Sequence, residues 1–386
     1  MTDSRGQIGL TATVIVAAAL PFLLTPWKAQ ALGPSGRGEV GYFGAAFTII
    51  LACAALGVRY AYYEVRSERG MRVHLKAPRM VALAYGTAGL ATIGFVAVGA
   101  RSMSVAVIVG LLIAWAISPV QLLTQTELAE AQSALKRKRV AALSSTPALF
   151  ESVATLILLV VKQMTVTASI AVTTVSEVLR GLVGASFRRR DRDRTVPALD
   201  VTRRILVLSP VGLLPILVAN ADTIVFAWFV PTAVLGEYSV AKLAINVMLL
   251  VALTIEGTVV RAGRRVVAGV VAGLTICAAV GALLGYALTP LLFGAGFDAT
   301  RYAFIVTSVA GLLGALFTLV AARQSWNGRN RAVNVASVIA VVLIVSMSLI
   351  LGVQWPGAPA WALGIPAIVS YGSATLIAVV AGRKGR

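Results

Sequence analysis

The midpoint of the chain reads Arg188-Arg189-Arg190-Asp191-Arg192-Asp193-Arg194-Thr195-Val196-Pro197-Ala198-Leu199-Asp200-Val201-Thr202-Arg203-Arg204. Apolar runs stand on both sides of it, and it is the longest polar stretch in the sequence. Read as a cytoplasmic linker, it separates residues 1–187 from residues 205–386. A helix needs about 20 mostly apolar residues to cross a hydrocarbon core about 30 Å thick. Before the linker, such blocks lie near 8–27, 40–63, 80–99, 104–124, 142–162 and 166–187. After it they lie near 205–229, 237–260, 266–293, 301–322, 332–353 and 361–381. The expected fold is therefore an all-α polytopic membrane protein of twelve transmembrane helices in two six-helix lobes.

Charge sets the orientation. Of the 34 basic residues, 26 fall in the segments 1–7, 64–79, 125–141, 188–204, 261–265, 323–331 and 382–386, every second connection. The opposite connections hold only Lys28, Arg37, Arg101, Lys162 and Arg301. By the positive-inside rule both termini are expected in the cytoplasm. Six spans is an even number, so both halves insert with the same polarity. That predicts a parallel pseudo-two-fold repeat about an axis along the membrane normal. The halves echo each other faintly. Gln132-Ser133 before Arg137 and Arg139 recurs as Gln324-Ser325 before Arg329 and Arg331. Leu32-Gly33 and Gly38-Glu39 are echoed by Leu235-Gly236-Glu237.

Composition agrees with this reading. A chain 58% hydrophobic, with mean hydropathy +0.88, is no water-soluble globular domain. A net charge of +19 would suggest nucleic acid in a soluble protein. Here the charge abuts spans, where it sets topology and attracts anionic lipid headgroups, so the bilayer and not nucleic acid is the expected partner. Cys53 and Cys277 fall within apolar spans and His74 is the single histidine, so no metal site is expected. Arg5, the following apolar run and Ala29-Gln30-Ala31 loosely imitate a signal peptide with its cleavage site. Asp3 dilutes the charged start, the run is long enough to span, and cleavage would leave an odd number of spans. The first span is expected to be retained.

Charges within spans carry most of the functional information, because each costs about 2.5–3.5 kcal/mol at the bilayer centre on insertion scales. Asp222 near the end of the seventh span and Lys242 near the start of the eighth lie at a similar depth, roughly 8–10 Å from the outer end. An ion pair or a shared polar cavity follows, with Asn220 and Asn246 extending the patch. Glu151 and Glu177 fall near the midplane of the fifth and sixth spans, with Arg180 one turn beyond Glu177. These three form either a structural lock between helices or a proton or cation coupling site. Arg59 and Glu256 occupy nearly equivalent places near the inner ends of the second and eighth spans. They either meet as a gate or snorkel separately to the interface. No nucleophile–base arrangement, phosphate loop or acidic metal motif stands out, and the outer connections are short, so no catalytic role is expected.

Certain motifs carry a family resemblance. Leu32-Gly33-Pro34-Ser35-Gly36-Arg37-Gly38-Glu39 resembles the loop between the first two spans of polysaccharide-biosynthesis flippases. Asn220-Ala221-Asp222 and Leu235-Gly236-Glu237-Tyr238-Ser239-Val240-Ala241-Lys242 resemble that family's seventh and eighth spans. Phe293-Gly294 with Phe297, and Gly328-Arg329, resemble its later landmarks. The resemblance covers essentially the whole chain and points to the O-antigen (Wzx-type) flippases of the multidrug/oligosaccharidyl-lipid/polysaccharide exporter superfamily. It implies a MATE-like fold with a central cavity lined by spans 1, 2, 7 and 8. The activity it implies is transfer of undecaprenyl-pyrophosphate-linked oligosaccharide to the outer leaflet of the bacterial cytoplasmic membrane by alternating access. It assigns pyrophosphate contact to Arg59 and Lys242, with Arg37 at the mouth, although Asp222 stands ready to neutralise Lys242. Transport uphill would draw on a proton, a sodium ion or the membrane potential, with no other cofactor. Polysaccharide polymerase and glycosyltransferases are the implied neighbours. The competing readings are a cation-coupled multidrug exporter, a lipid II flippase, and a membrane-embedded glycan enzyme or assembly scaffold.

Overall fold

A backbone in lipid has no water to bond, so each of its polar groups must find a partner within the protein, and a helix supplies that locally. The described residues answer this constraint with helices. A computed structural model describes residues 4–55, 58, 78–133, 136–190, 201–261, 263–294, 296–326 and 330–383, and these contain helices and no strand. In order they are α1 (Ser4–Ala55), α2 (Pro78–Gly99), α3 (Val105–Ser133), α4 (Arg137–Val160), α5 (Val166–Arg190) and α6 (Val201–Phe226). Then follow α7 (Thr232–Ala241), α8 (Leu243–Arg261), α9 (Arg264–Phe293), α10 (Thr300–Trp326), α11 (Asn330–Gln354) and α12 (Ile365–Arg383). Ten stretches of the described residues are long and apolar enough to cross a membrane, and Leu213–Phe226 is a shorter apolar helix. Several hydroxyl side chains inside these helices are satisfied by the same helix. Thr92, Thr126 and Thr174 donate to the carbonyls of Ala88, Leu122 and Ile170, one turn back.

The first two expected spans differ from their sequence reading. Residues 28–39, expected as an outer connection, are helical on both sides of one break at Gly33. Gly33 takes φ 67° with ψ 173°, a positive-φ extended conformation that glycine adopts at low cost and other residues do not. Pro34, with no N–H to lose and its φ already set, starts the next helix. Lys28 and Arg37 are therefore helix residues. The eighth expected span begins earlier, at Thr232, and is interrupted only at Lys242, between α7 and α8.

The chain forms two compact units. The first comprises residues 1–31 and 46–216, and the second residues 32–45 and 217–386. In the first, α3 packs on α2 and α5, and α4 packs on α5. Gly181 lets α5 approach Val120 and Thr124 of α3. In the second unit α10 is the hub, packed against α8, α9 and α12, while α11 closes on α12. Its core joins Val218, Ile245, Phe317, Ile344 and Tyr371. Many large apolar side chains are left exposed, among them Leu90, Leu182, Leu283, Leu291 and Leu376. That is the reverse of a water-facing surface and suits contact with acyl chains.

Candidate functional site

Each unit carries its own charged cluster inside apolar helices. In the second unit the centre is Asp222 on α6, which is 1% exposed. Its Oδ1 accepts from the Lys242 ammonium at 2.6 Å and from the Thr223 backbone N–H at 2.6 Å. Its Oδ2 accepts from the Tyr238 hydroxyl. Lys242 Nζ also donates to Thr223 Oγ1 at 2.8 Å and lies over the Tyr238 ring, 5.8 Å from its centroid. Tyr238 on α7 and Lys242 at the junction of α7 and α8 are one turn apart, so both reach Asp222 of α6. Tyr371 of α12, 3% exposed, lies within electrostatic reach of Asp222, and its hydroxyl is buried with no hydrogen-bond partner.

This cluster sits beside a close helix crossing in the same unit. A Cβ added at Gly38 would stand 1.9 Å from the Thr232 carbonyl oxygen, and one added at Gly236 would stand 1.8 Å from that of Pro34. Two backbones touch here, and only glycine at both positions permits it. Gly41 faces Ser239 in the same way, and Ser239 Oγ donates to the Arg37 carbonyl at 3.4 Å. The segments that echo each other in sequence are thus packed face to face. Arg37 itself is half-buried on the α1 side of this crossing.

In the first unit the cluster is looser. Arg180 Nη1 lies 3.0 Å from both carboxylate oxygens of Glu177, one turn away on α5, and its Nε donates to the Leu143 carbonyl of α4 at 3.2 Å. Glu151 of α4 lies within electrostatic reach of Glu177. Its cation, however, is Lys28 of α1, with Nζ 3.8 Å from Glu151 Oε1. So the two carboxylates do not share Arg180 between them; each has its own basic partner.

The structure brings Asp222 and Lys242 together, and likewise Glu177 and Arg180. Asn220 is half-buried two residues before Asp222, while Asn246 is exposed on α8 and does not join the buried cluster. Arg59 lies outside the described residues, as does the side chain of Glu256 within α8. Sequence reasoning missed Lys28 as a partner of Glu151, because the first span was placed near 8–27 and Lys28 was counted with the outer connections, whereas the helix breaks at Gly33. It also passed over Thr223 and Tyr238. The four-residue spacing of Tyr238 and Lys242 was the signal for the latter. Tyr371 carries no such signal, since only folding brings α12 beside α6. Among the described residues no group of three or more His, Cys, Asp or Glu is placed to hold a metal ion.

No protein-family model matches the chain, and no curated protein matches it by sequence. Its fold does match solved structures. One is an inward-facing multidrug resistance MATE family transporter of the MOP superfamily, with TM-score 0.69, 12% identity, and coverage of 96% of this chain and 98% of that one. Another is the lipid II flippase MurJ in an inward closed conformation, with TM-score 0.70, 11% identity, and coverage of 97% and 87%. A third is a MOP superfamily transporter from Pyrococcus furiosus whose binding pocket is described as reversed in polarity, with TM-score 0.55, 15% identity, and coverage of 98% and 94%. At such identities the likeness establishes a MATE-like fold and not an activity.

Proposed function

We propose that this protein is a membrane transporter that flips undecaprenyl-pyrophosphate-linked oligosaccharide across the bacterial cytoplasmic membrane by alternating access, for export of surface polysaccharide. The observation that carries the reading is the Gly38–Gly236 crossing. Within a MATE-like fold, it is built from the two segments that resemble polysaccharide-flippase motifs. Counting α1 as two spans divided at Gly33, and α7 with α8 as one, this reading has twelve spans with both termini in the cytoplasm. Residues 188–204 then link two six-helix lobes.

A pyrophosphate headgroup calls for cationic side chains. Lys242 is held by Asp222 in a buried pair, so this reading leaves the phosphate role with Arg37 and Arg59, the other two positions that the resemblance assigns. An Arg–phosphate contact at 4 Å contributes up to about 4 kcal/mol at an effective dielectric near 20, enough to select a charged headgroup without trapping it. The drug-exporter reading fares worse, because a cationic drug needs an uncompensated anion. Glu151, Glu177 and Asp222 each face a basic side chain of the same chain. The flippase reading is tested in a cell strain lacking the gene. Lipid-linked oligosaccharide should accumulate and surface polysaccharide should fall, with both restored by the wild-type gene and not by Arg37→Ala with Arg59→Ala. Unchanged intermediates in the deletion strain would overturn it.

A further inference from the structure

The Asp222 cluster has the chemistry of a cation site whose cation is part of the protein. Asp222 Oδ1 and the Thr223 hydroxyl hold one positive nitrogen directly, and the Tyr238 hydroxyl donates to the other carboxylate oxygen, all of it buried. Oxygen ligands of this kind suit a hard cation. The unpartnered Tyr371 hydroxyl, 3% exposed and within electrostatic reach of Asp222, is a further oxygen that the ammonium leaves unused. We propose that Asp222, Thr223 and Tyr238 form a monovalent-cation site permanently filled by the tethered ammonium of Lys242.

Two consequences follow from the geometry. A sodium ion would have to displace the ammonium, which lies 2.6 Å from Asp222 Oδ1 and is covalently tied to the chain. Lys242, in turn, does not leave to bind an anion, because that would strand a buried carboxylate. This site therefore takes no coupling cation from solution. The consequence for energising transport rests on the flippase reading, but the site and its test do not.

The test uses the full-length protein in detergent, without any glycan. Thermal unfolding is followed at fixed ionic strength in sodium, lithium, methylammonium or N-methylglucamine chloride. The wild-type midpoint should be the same in all four. Lys242→Ala should unfold earlier and regain several degrees, saturably, with sodium, lithium or methylammonium. Adding Asp222→Asn should remove that response. Lys242→Gln keeps a donor on Asp222 and removes the charge, and should respond in the same way if the alanine variant fails to accumulate. If neither variant accumulates, the doubly neutral Asp222→Asn/Lys242→Gln protein decides. Its recovery supports a charge-compensating ammonium, and its absence overturns it. A saturable sodium response of the wild type, or folded Lys242 variants indifferent to every cation, would also overturn the proposal. Normal glycan flipping or its loss changes none of these outcomes.

Discussion

The two charged clusters solve the same problem with different tightness. Around Asp222 the ion pair is 2.6 Å long, its side chains are 1% and 9% exposed, and a tyrosine and a threonine complete the coordination. Around Glu151 the pair is 3.8 Å long, with the lysine 10% and the glutamate 27% exposed. Desolvation raises the cost of leaving a charge unpaired, so the dry pair is committed and the wetter one is free to open. Both clusters are neutral as built, Lys28 and Arg180 against Glu151 and Glu177, and Lys242 against Asp222. Neutrality lets each sit in apolar surroundings. Only dryness and saturation make one of them permanent.

That contrast is breakable by substitution, and the largest effect belongs to the dry side. Asp222→Ala should cost about 3–5 kcal/mol by stranding a buried ammonium, seen as lost folded yield or an early thermal midpoint. Replacing both partners by neutral groups of similar size should recover most of it. A double variant as unstable as the single one would mean that shape, not charge, dominates. Tyr238→Phe removes one donor to the carboxylate and should cost about 1.5–3 kcal/mol by the same measurement. Gly236→Ala forces a methyl against the Pro34 carbonyl and should cost about 1–3 kcal/mol. The control Gly44→Ala, where nothing lies within 4 Å, should cost far less. Lys28→Met should be the mildest, about 1 kcal/mol or less, because its pair is long and partly solvated. A Lys28 effect equal to that of Asp222 would erase the distinction between the clusters.

Much of this architecture was readable without coordinates. Apolar length, alternating charge and the absence of any soluble segment point to a helical membrane protein, since a bilayer imposes its rules on every span separately. Asp222 and Lys242 were legible as partners for the same reason, lying at matched depth on successive spans. The first connection was misread. Pro26, Trp27 and Lys28 are helical because a helix in apolar surroundings continues until something removes its hydrogen bonds, and that happens at Gly33-Pro34. Lys28 was then counted with the outer connections, and Glu151 was left sharing Arg180.

By itself the sequence determined the class of protein, the helical content and the identity of the charges that needed partners. These follow from the one-dimensional cost of placing polar groups in lipid. Tertiary structure alone decided which partner each charge received. It set Gly38 against the α7 backbone, brought Lys28 to Glu151, and left Tyr371 beside Asp222 from a helix roughly 150 residues away along the chain. The reason is that pairing energy falls within a few ångströms, while apolar helices of similar composition pack by side-chain shape that no local pattern encodes.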